Sequence, residues 1–366
     1  MKPPFSKVAM TKFLMIFCTS LCLQLTVRAW NAEGHMIVAQ IAYNHLNPVA
    51  RAKCNTLIAV NLGSYYSAGT SNFVTAAAWA DDFKAPLGTG IWHYIDLPFS
   101  LDGTSTSGVA ASSFDVVKAI NLSITNLQNS SLSQSNQAVS LRYLIHFVGD
   151  IQQPLHCSTA VWSSRTGGDA GGNSFYITSD YWNNLHSLWD SGGGYLFDSL
   201  SRPLSVASQN ILNAKVAAIE ADYSYNYNTN LGTIPNPMTW AQEGLNLAKT
   251  VSYVGITLNG TPSANYLDNA EATTEQRMAA GGHRLADLLN TLYPAPPIVL
   301  SSAKVANGKF SFSWNTITNG AYRVQWKQQL TDATWTDLAN IMAMSNSASF
   351  SENLNQTRKF YRIIQY

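Results

Sequence analysis

The chain reads as a mainly helical body followed by a small all-β unit. Three observations predict that class. Apolar residues recur at helical spacing between Trp30 and about Tyr293, a Pro-rich break follows at residues 293–297, and aromatic and polar residues alternate beyond it. The composition suits a globular fold: 366 residues, 46% hydrophobic and 12% charged, which excludes a disordered, collagen-like or coiled-coil chain.

At the N-terminus, Lys2, Lys7 and Lys12 precede an apolar stretch over residues 14–23, and Val27 and Ala29 place small residues at −3 and −1 of a cleavage point. This pattern predicts a secretory signal removed after Ala29, so that the mature chain begins at Trp30 and is extracellular or periplasmic. No run of 18 apolar residues exists to span a membrane. Ile37, Val38, Ile41, Ala42 and Leu46 then mark a first helix, which Pro48 is expected to close. Further helices are expected over residues 137–150, 238–256 and 270–292, with Gly- and Ser-rich loops such as residues 163–174 between them. Residues 293–297 form a semi-rigid linker. Beyond it Phe310, Phe312 and Trp314 alternate with polar residues, Asn319-Gly320 predicts a hairpin turn, and Tyr322, Val324 and Trp326 alternate again. The expected organisation is therefore a signal at 1–29, a helical domain at 30–292, a linker at 293–297 and a β-sandwich at 298–366.

Charge and cysteines restrict the partners. Removing residues 1–29 leaves 18 basic against 21 acidic residues. Residues 298–366 hold seven of the basic and three of the acidic ones, so the tail is mildly basic and the helical part carries a net −7. A polyanion-binding protein normally shows a basic footprint, so here something other than lysine must supply the positive field. Only Cys54 and Cys157 survive processing; an exported compartment allows them to pair, but sequence does not supply the distance a disulfide needs.

The histidines and carboxylates form a pattern that could gather metal cations, which would supply that field. His146 and Asp150 stand four apart on one predicted helix, one turn from each other on the same face, where two ligands can grip one ion. His156 follows Pro154, and His186-x3-Asp190 repeats the spacing on a second element. Nitrogen and oxygen donors without thiolate suit zinc, with manganese or iron open by donor type alone. Asp81 and Lys84 lie in a segment beginning at Trp79, and His93 lies in an apparent strand with Tyr94 and Asp96. His35 stands five residues after Trp30, whose freed α-amino group would titrate near pH 7.7 and could chelate a metal together with its own carbonyl oxygen. His45 and His283 fall outside the pattern and read as ordinary helix residues.

The ordered set Trp30, His35, Asp81, His93, His146-x3-Asp150-x5-His156 and His186-x3-Asp190 resembles the three-zinc nucleases of the S-one and P-one type, over nearly all of residues 30–292. That resemblance implies a mostly helical fold, shared with zinc phospholipases C, and three Zn²⁺ ions. One ion would be held by Asp81, His93, His146 and Asp150. A second would share Asp150 and take the Trp30 amine and carbonyl with His35, and the third would take His156, His186 and Asp190. It further implies Tyr94 as a base-stacking aromatic, Asp96, Gly171 and Asn173 as base-edge contacts, and Lys84 beside the phosphate. The expected reaction is hydrolysis of single-stranded DNA and RNA to 5′-phosphorylated products, with 3′-nucleotidase activity. Zinc lowers the pKa of bound water from 15.7 to about 7, so hydroxide would attack phosphorus in line, Asp81 orienting the water and the third ion stabilising the departing 3′ oxygen. The loop between His156 and Asn173 is longer than in the fungal enzymes, Tyr94 stands where they carry Phe, and the tail after Pro297 lies outside the resemblance. Two rival readings are a zinc phospholipase C, disfavoured by Asp190 and the short Trp30–His35 gap, and a non-catalytic adhesion or binding protein. The basic tail could hold substrate or a surface.

Overall fold

The computed structural model describes residues 30–224, 236–354 and 359–365. The expected signal segment and its cleavage point therefore lie outside the described residues, as does Arg358 of the basic tail. The body is built from α1 (Ala32–Asn44), α2 (Pro48–Ile58), α3 (Trp79–Leu87), α4 (Val116–Gln128), α5 (Gln134–Asp150), α6 (Leu185–Asp190), α7 (Val206–Asp222), α8 (Pro237–Leu247) and α9 (Ala264–Leu292).

The caps explain where these helices begin. Asn31 accepts hydrogen bonds from the amides of Glu33 and Gly34 at 3.0 and 3.2 Å, satisfying donors that a helix start leaves open. Asn47 does the same for α2, and Pro48 takes its first position, where a missing N–H costs nothing. Pro48 thus opens the second helix rather than merely ending the first. From Gln137 onward α5 is buried almost all round, so it forms the central rod, with α2, α4 and α9 contributing to the same core. Glycines at positions 281 and 282 of α9 let α1 approach closely: a Cβ on Gly282 would lie 2.4 Å from Ile41.

Two expectations are corrected here. The helix expected over 238–256 ends early, α8 passing into a wider turn at Ala248–Ser252. The Ser252 carbonyl accepts from the Tyr266 hydroxyl at 2.5 Å, and Gly255 adopts φ +77°, which no right-handed helix holds. Conversely, α9 begins at Ala264 because Ser263 caps it, accepting from the Tyr266 amide at 3.2 Å. A short parallel pair, β1 (Pro98–Ser100) and β2 (Thr159–Val161), ties the His93 segment to the His156 segment.

The tail has two three-stranded antiparallel sheets: β3 (Leu300–Ala306), β4 (Lys309–Asn315) and β7 (Ser347–Asn353) in order 3-4-7, and β5 (Ala321–Lys327), β6 (Thr336–Met342) and β8 (Phe360–Gln365) in order 6-5-8. Phe312 and Trp314 of one sheet pack with Tyr322 and Val324 of the other. Asn319-Gly320 is a turn, yet not a hairpin, because the strands it joins lie in different sheets. The Asn-Gly hairpin is instead Asn307-Gly308 between β3 and β4, with φ +50° and +70°. Cys54 and Cys157 are both buried and free, and burial pushes each thiol up to about 12.

Candidate metal centre

α5 supplies the middle of the site. His146 and Asp150 are fully buried on it, His146 Nε2 standing 3.2 Å from Asp150 Oδ2. His93 brings Nδ1 to 2.9 Å from the same oxygen and 3.0 Å from His146 Nε2. Asp81 of α3 completes this group, its Oδ1 at 3.8 Å from His93 Nδ1 and 3.9 Å from His146 Nε2. Ligands about 2.0–2.1 Å from a tetrahedral zinc lie about 3.3 Å from one another, so these spacings of 2.9–3.9 Å match a set of donors around one point.

His93 is not in a strand as the sequence suggested. It ends a 3-10 turn, Gly90–His93, and extended backbone starts one residue later at Tyr94. From there the Ile95 amide donates to the His156 carbonyl at 2.8 Å, which draws the two histidine segments together.

A second group shares Asp150. His35 of α1 places Nε2 at 3.3 Å from Asp150 Oδ1, its ring stacked on His146 with centroids 3.8 Å apart. Both His35 nitrogens and both Asp150 oxygens are buried without a hydrogen-bond partner among the described residues. Buried polar atoms are rarely left so, and lone pairs facing one another across a short gap fit a cation between them. Trp30 is fully buried beside this group, its indole N–H donating to the Gly149 carbonyl at 3.1 Å. The next amide, Asn31, donates to the Asp190 carbonyl at 3.1 Å, so the expected mature terminus is pinned between α5 and α6.

The third group is His156, His186 and Asp190, with His156 Nε2 at 3.8 Å from Asp190 Oδ1 and His186 Nε2 at 3.4 Å from Oδ2. Proline at 154 opens the 3-10 turn that presents His156, as expected. The first two groups share His146, Asp150 reaches from one to His93 of the other, and Asn31 ties the third through the Asp190 carbonyl.

Tautomers follow from the partners, since a carbonyl oxygen only accepts. His146 Nδ1 donates to Ala77 at 2.6 Å, His156 Nδ1 to His93 at 2.8 Å and His186 Nδ1 to Gly171 at 2.6 Å. Each ring is thereby turned with Nε2 toward its carboxylate, the nitrogen a metal would take in place of its proton. Burial works to raise Asp150, but His146 and His93 beside it hold its carboxyl well below the usual range. Burial also opposes ionisation of Asp81, and His146, His93 and Lys84 overcome it. Asp190 goes the other way: burial raises it well above the ordinary value, with Asp81 and Asp150 adding to the effect against a hydrogen bond from Gln153. Three carboxylates gathered in a buried space call for positive charge between them.

The expected substrate residues surround this centre. Lys84 Nζ donates to Asp81 Oδ1 at 3.0 Å, on the rim of a cleft of about 340 Å³ also lined by Ala32, Asp82 and Arg202. Tyr94 and Asp96 follow His93 and are part-buried; burial and then Asp169 push the Asp96 carboxyl up to about 6. Gly171 at φ +62° has no room for a side chain, since a Cβ would meet the Leu155 carbonyl at 2.2 Å. Its carbonyl orients His186, a role the sequence did not suggest. Asn173 is buried in the same loop and donates to the Ala170 carbonyl at 2.8 Å.

Three contributors were missed. Gln153 donates to Asp190 Oδ1 at 2.8 Å. Gly149 leaves space for His35, whose Nδ1 would lie 2.8 Å from a Cβ there. Asp169 is buried, accepting from the Ala160 amide at 2.8 Å and the Tyr253 hydroxyl at 2.6 Å under the Gly171 loop. All three lie within three residues of a candidate site residue, but what each contributes depends on segments distant in sequence.

Comparison with known proteins agrees with this construction. A family model described as S1/P1 Nuclease matches residues 30–294. Nuclease P1 of Penicillium citrinum is 29% identical over 286 residues, covering 72% of this chain and 98% of its own length. Nuclease S1 of Aspergillus oryzae is 25% identical over 306 residues, covering 78% and 100%. Endonuclease 2 of Arabidopsis thaliana is 28% identical over 292 residues, covering 73% and 91%. Among solved structures, the Alpha Toxin from Clostridium Absonum aligns with a TM-score of 0.36 at 11% identity, over 90% of this chain and 86% of its own. With the family model spanning most of its length, the chain belongs to the S1/P1 nuclease family, and as a nuclease it is an enzyme that hydrolyses phosphodiester bonds.

Proposed function

We propose that this is an exported, three-zinc nuclease that cleaves single-stranded DNA and RNA to 5′-phosphorylated products and removes 3′-phosphates from nucleotides. The observation that carries the reading is a pair of adjacent donor groups that share His146, with Asp150 reaching His35 through one oxygen and His93 through the other and a third group of two histidines and a carboxylate alongside. Trp30, His35 and Asp150 would hold one ion, Asp81, His93, His146 and Asp150 another, and His156, His186 and Asp190 the third. Bound zinc supplies positive charge opposite the phosphate and a water acidic enough to attack near neutral pH.

The chain's own residues do the rest. Asp81, at the mouth of the centre and held ionised by its neighbours, accepts a proton from the attacking water and orients it. Lys84, donating to Asp81, stands where a phosphate oxygen would enter the cleft. Tyr94 offers a face to a base swung out of its strand, and Asp96, Gly171 and Asn173 offer polar atoms to its edge. A duplex would first have to unpair at a few kcal/mol, whereas stacking on one aromatic returns about 1–3 kcal/mol; single strands are therefore preferred.

For its organisation, the reading takes residues 1–29 as a removed signal, 30–292 as the nuclease domain, 293–297 as a linker and 298–366 as an accessory domain. The test uses protein beginning at Trp30. Three zinc equivalents per chain are expected, with chelator-sensitive release of 5′-nucleotides from single-stranded DNA and no hydrolysis of phosphatidylcholine. Full activity in a metal-free sample would overturn the reading, and phospholipid hydrolysis without nuclease activity would move it to the other enzyme class.

A further inference from the structure

Every histidine of the chain falls into one of two places: five lie in the centre described above, and the other two, His45 and His283, meet Glu220 at the C-terminal end of α1. We infer that His45, Glu220 and His283 form a separate binding site for a divalent transition-metal ion of the zinc type, one that ties the end of α1 to α7 and α9.

The geometry has the character of a built site. The three residues come from three different elements, the C-cap of α1, the last turn of α7 and the middle of α9. One ligand atom from each lies within 4.8 Å of the others, the same compass that encloses each group of the catalytic centre. His45 Nε2 is in direct contact with Glu220 Oε1. The two imidazoles stand edge to face with centroids 5.6 Å apart, so both rings border the space beside the carboxylate. A tetrahedral ion wants its donors about 3.3 Å apart, so an entering ion would open the direct His45–Glu220 contact and draw in donors that already lie within 4.8 Å of one another.

Neighbouring groups fix two of the three donors from behind. The Asn290 amide donates to the His45 carbonyl at 3.0 Å while its oxygen accepts from the Asn47 amide at 2.8 Å, locking the end of α1 against α9. Asn44 donates to Glu220 Oε2 at 3.3 Å and so orients the carboxylate. Such outer contacts position metal ligands elsewhere. Burial and then the adjacent His45 push His283 down to about 4 against the opposing pull of Glu220, so near neutral pH its ring is uncharged. Two imidazoles and one carboxylate suit zinc, cobalt or nickel, not calcium or magnesium. The His45 and Glu220 side chains are 19% and 23% exposed, leaving room for water at the remaining coordination positions. An ion here would brace the helix that carries His35, without touching substrate.

The experiment uses the full mature chain and three single variants, His45→Gln, Glu220→Gln and His283→Gln, each equilibrated with buffered zinc and analysed for bound metal and for cleavage of single-stranded DNA. Wild-type protein is expected to hold one equivalent more than each variant, while the variants keep cleavage within about twofold. With the catalytic centre already loaded, added zinc should raise Tm in the wild type and leave it unchanged in the variants. Equal metal content in wild type and all three variants, with no zinc-dependent Tm difference, would overturn the site. So would loss of an equivalent accompanied by loss of cleavage, since that ion would belong to the catalytic centre. Failure of the nuclease reading would show as absent cleavage in the wild type itself, a separate outcome.

Discussion

Asp150 ends α5 with one oxygen toward His35 and the other toward His93 and His146, so a single substitution there strikes two donor groups. Asp150→Asn keeps the shape and removes the charge that, on the proposed function, would balance two cations. We expect it to lose two of the three zinc equivalents and to lower cleavage by more than about a hundredfold, beyond the 10–100-fold typical of an outer-shell change. Metal analysis alongside turnover checks this, and near-normal activity with full metal content would contradict the shared role. Asp96 makes a prediction about pH. Its carboxyl is raised from 3.8 to about 6 chiefly by burial, so the folded state prefers it protonated. The associated stability is fully present below about pH 4 and is lost as pH rises through about 6. Asp96→Asn should therefore raise Tm by a few degrees at pH 7.5 and leave it unchanged at pH 4. A Tm gain that does not vary with pH would mean that the carboxyl is not held in this way. The His146–Asp150 pair was legible in the sequence because helical spacing alone puts both on one face. Gly149 and Gln153 were not: their contribution is a gap beside His35 and a bond to Asp190, visible only once distant segments meet.

The close contact of α1 with α9 decides where His35 stands. At Gly282 two effects oppose each other: alanine gains about 1 kcal/mol of helix propensity, but its Cβ would lie 2.4 and 2.5 Å from the Cγ2 and Cβ of Ile41. The Ile41 Cβ is fixed to the α1 backbone and cannot swing away, so the helices must part, at about 1–3 kcal/mol. Gly282→Ala is expected to lower Tm and weaken zinc binding at the His35 group; an unchanged or higher Tm would show that propensity wins. Among the elements, those with apolar residues recurring at helical spacing were readable, α5 to its last residue and to within three of its first. The errors came where a tertiary bond overrides local preference. The Tyr266 hydroxyl and Gly255 end the segment after α8, and the register of β4 against β3 and β7 leaves Asn319-Gly320 joining two sheets. The same reasoning accounts for His45 and His283, since Glu220 lies 175 residues from His45 and no local spacing could bring them together.

At the scale of the whole chain the unresolved charge question returns. The helical part is acidic and on the proposed reading would draw its positive field from bound zinc, whereas residues 298–366 carry seven basic and three acidic side chains. On β5, β8 and the approach to β8 the basic residues interleave with aromatics: Lys327 and Arg362 lie over Trp335 at 4.7 and 4.5 Å, and Lys359 over Trp326 at 4.6 Å. Arg323 and Lys359 are also engaged by Asp337 and Glu352, at 3.4 and 3.0 Å, which reduces the charge they present to a strand. A polyanion crossing this face would release counterions with a slope of about −0.7 per phosphate neutralised on single strands. If the tail's net charge of four meets phosphate in whole or part, deleting residues 298–366 should flatten log K against log salt by about 1–3. Equilibrium binding of long single-stranded DNA to metal-loaded protein under non-cleaving conditions, between about 50 and 200 mM salt, measures that slope. Short oligonucleotides spanning only the catalytic cleft should show no change. An unaltered slope on long strands would remove substrate from the tail's role and leave a surface as what its charge meets.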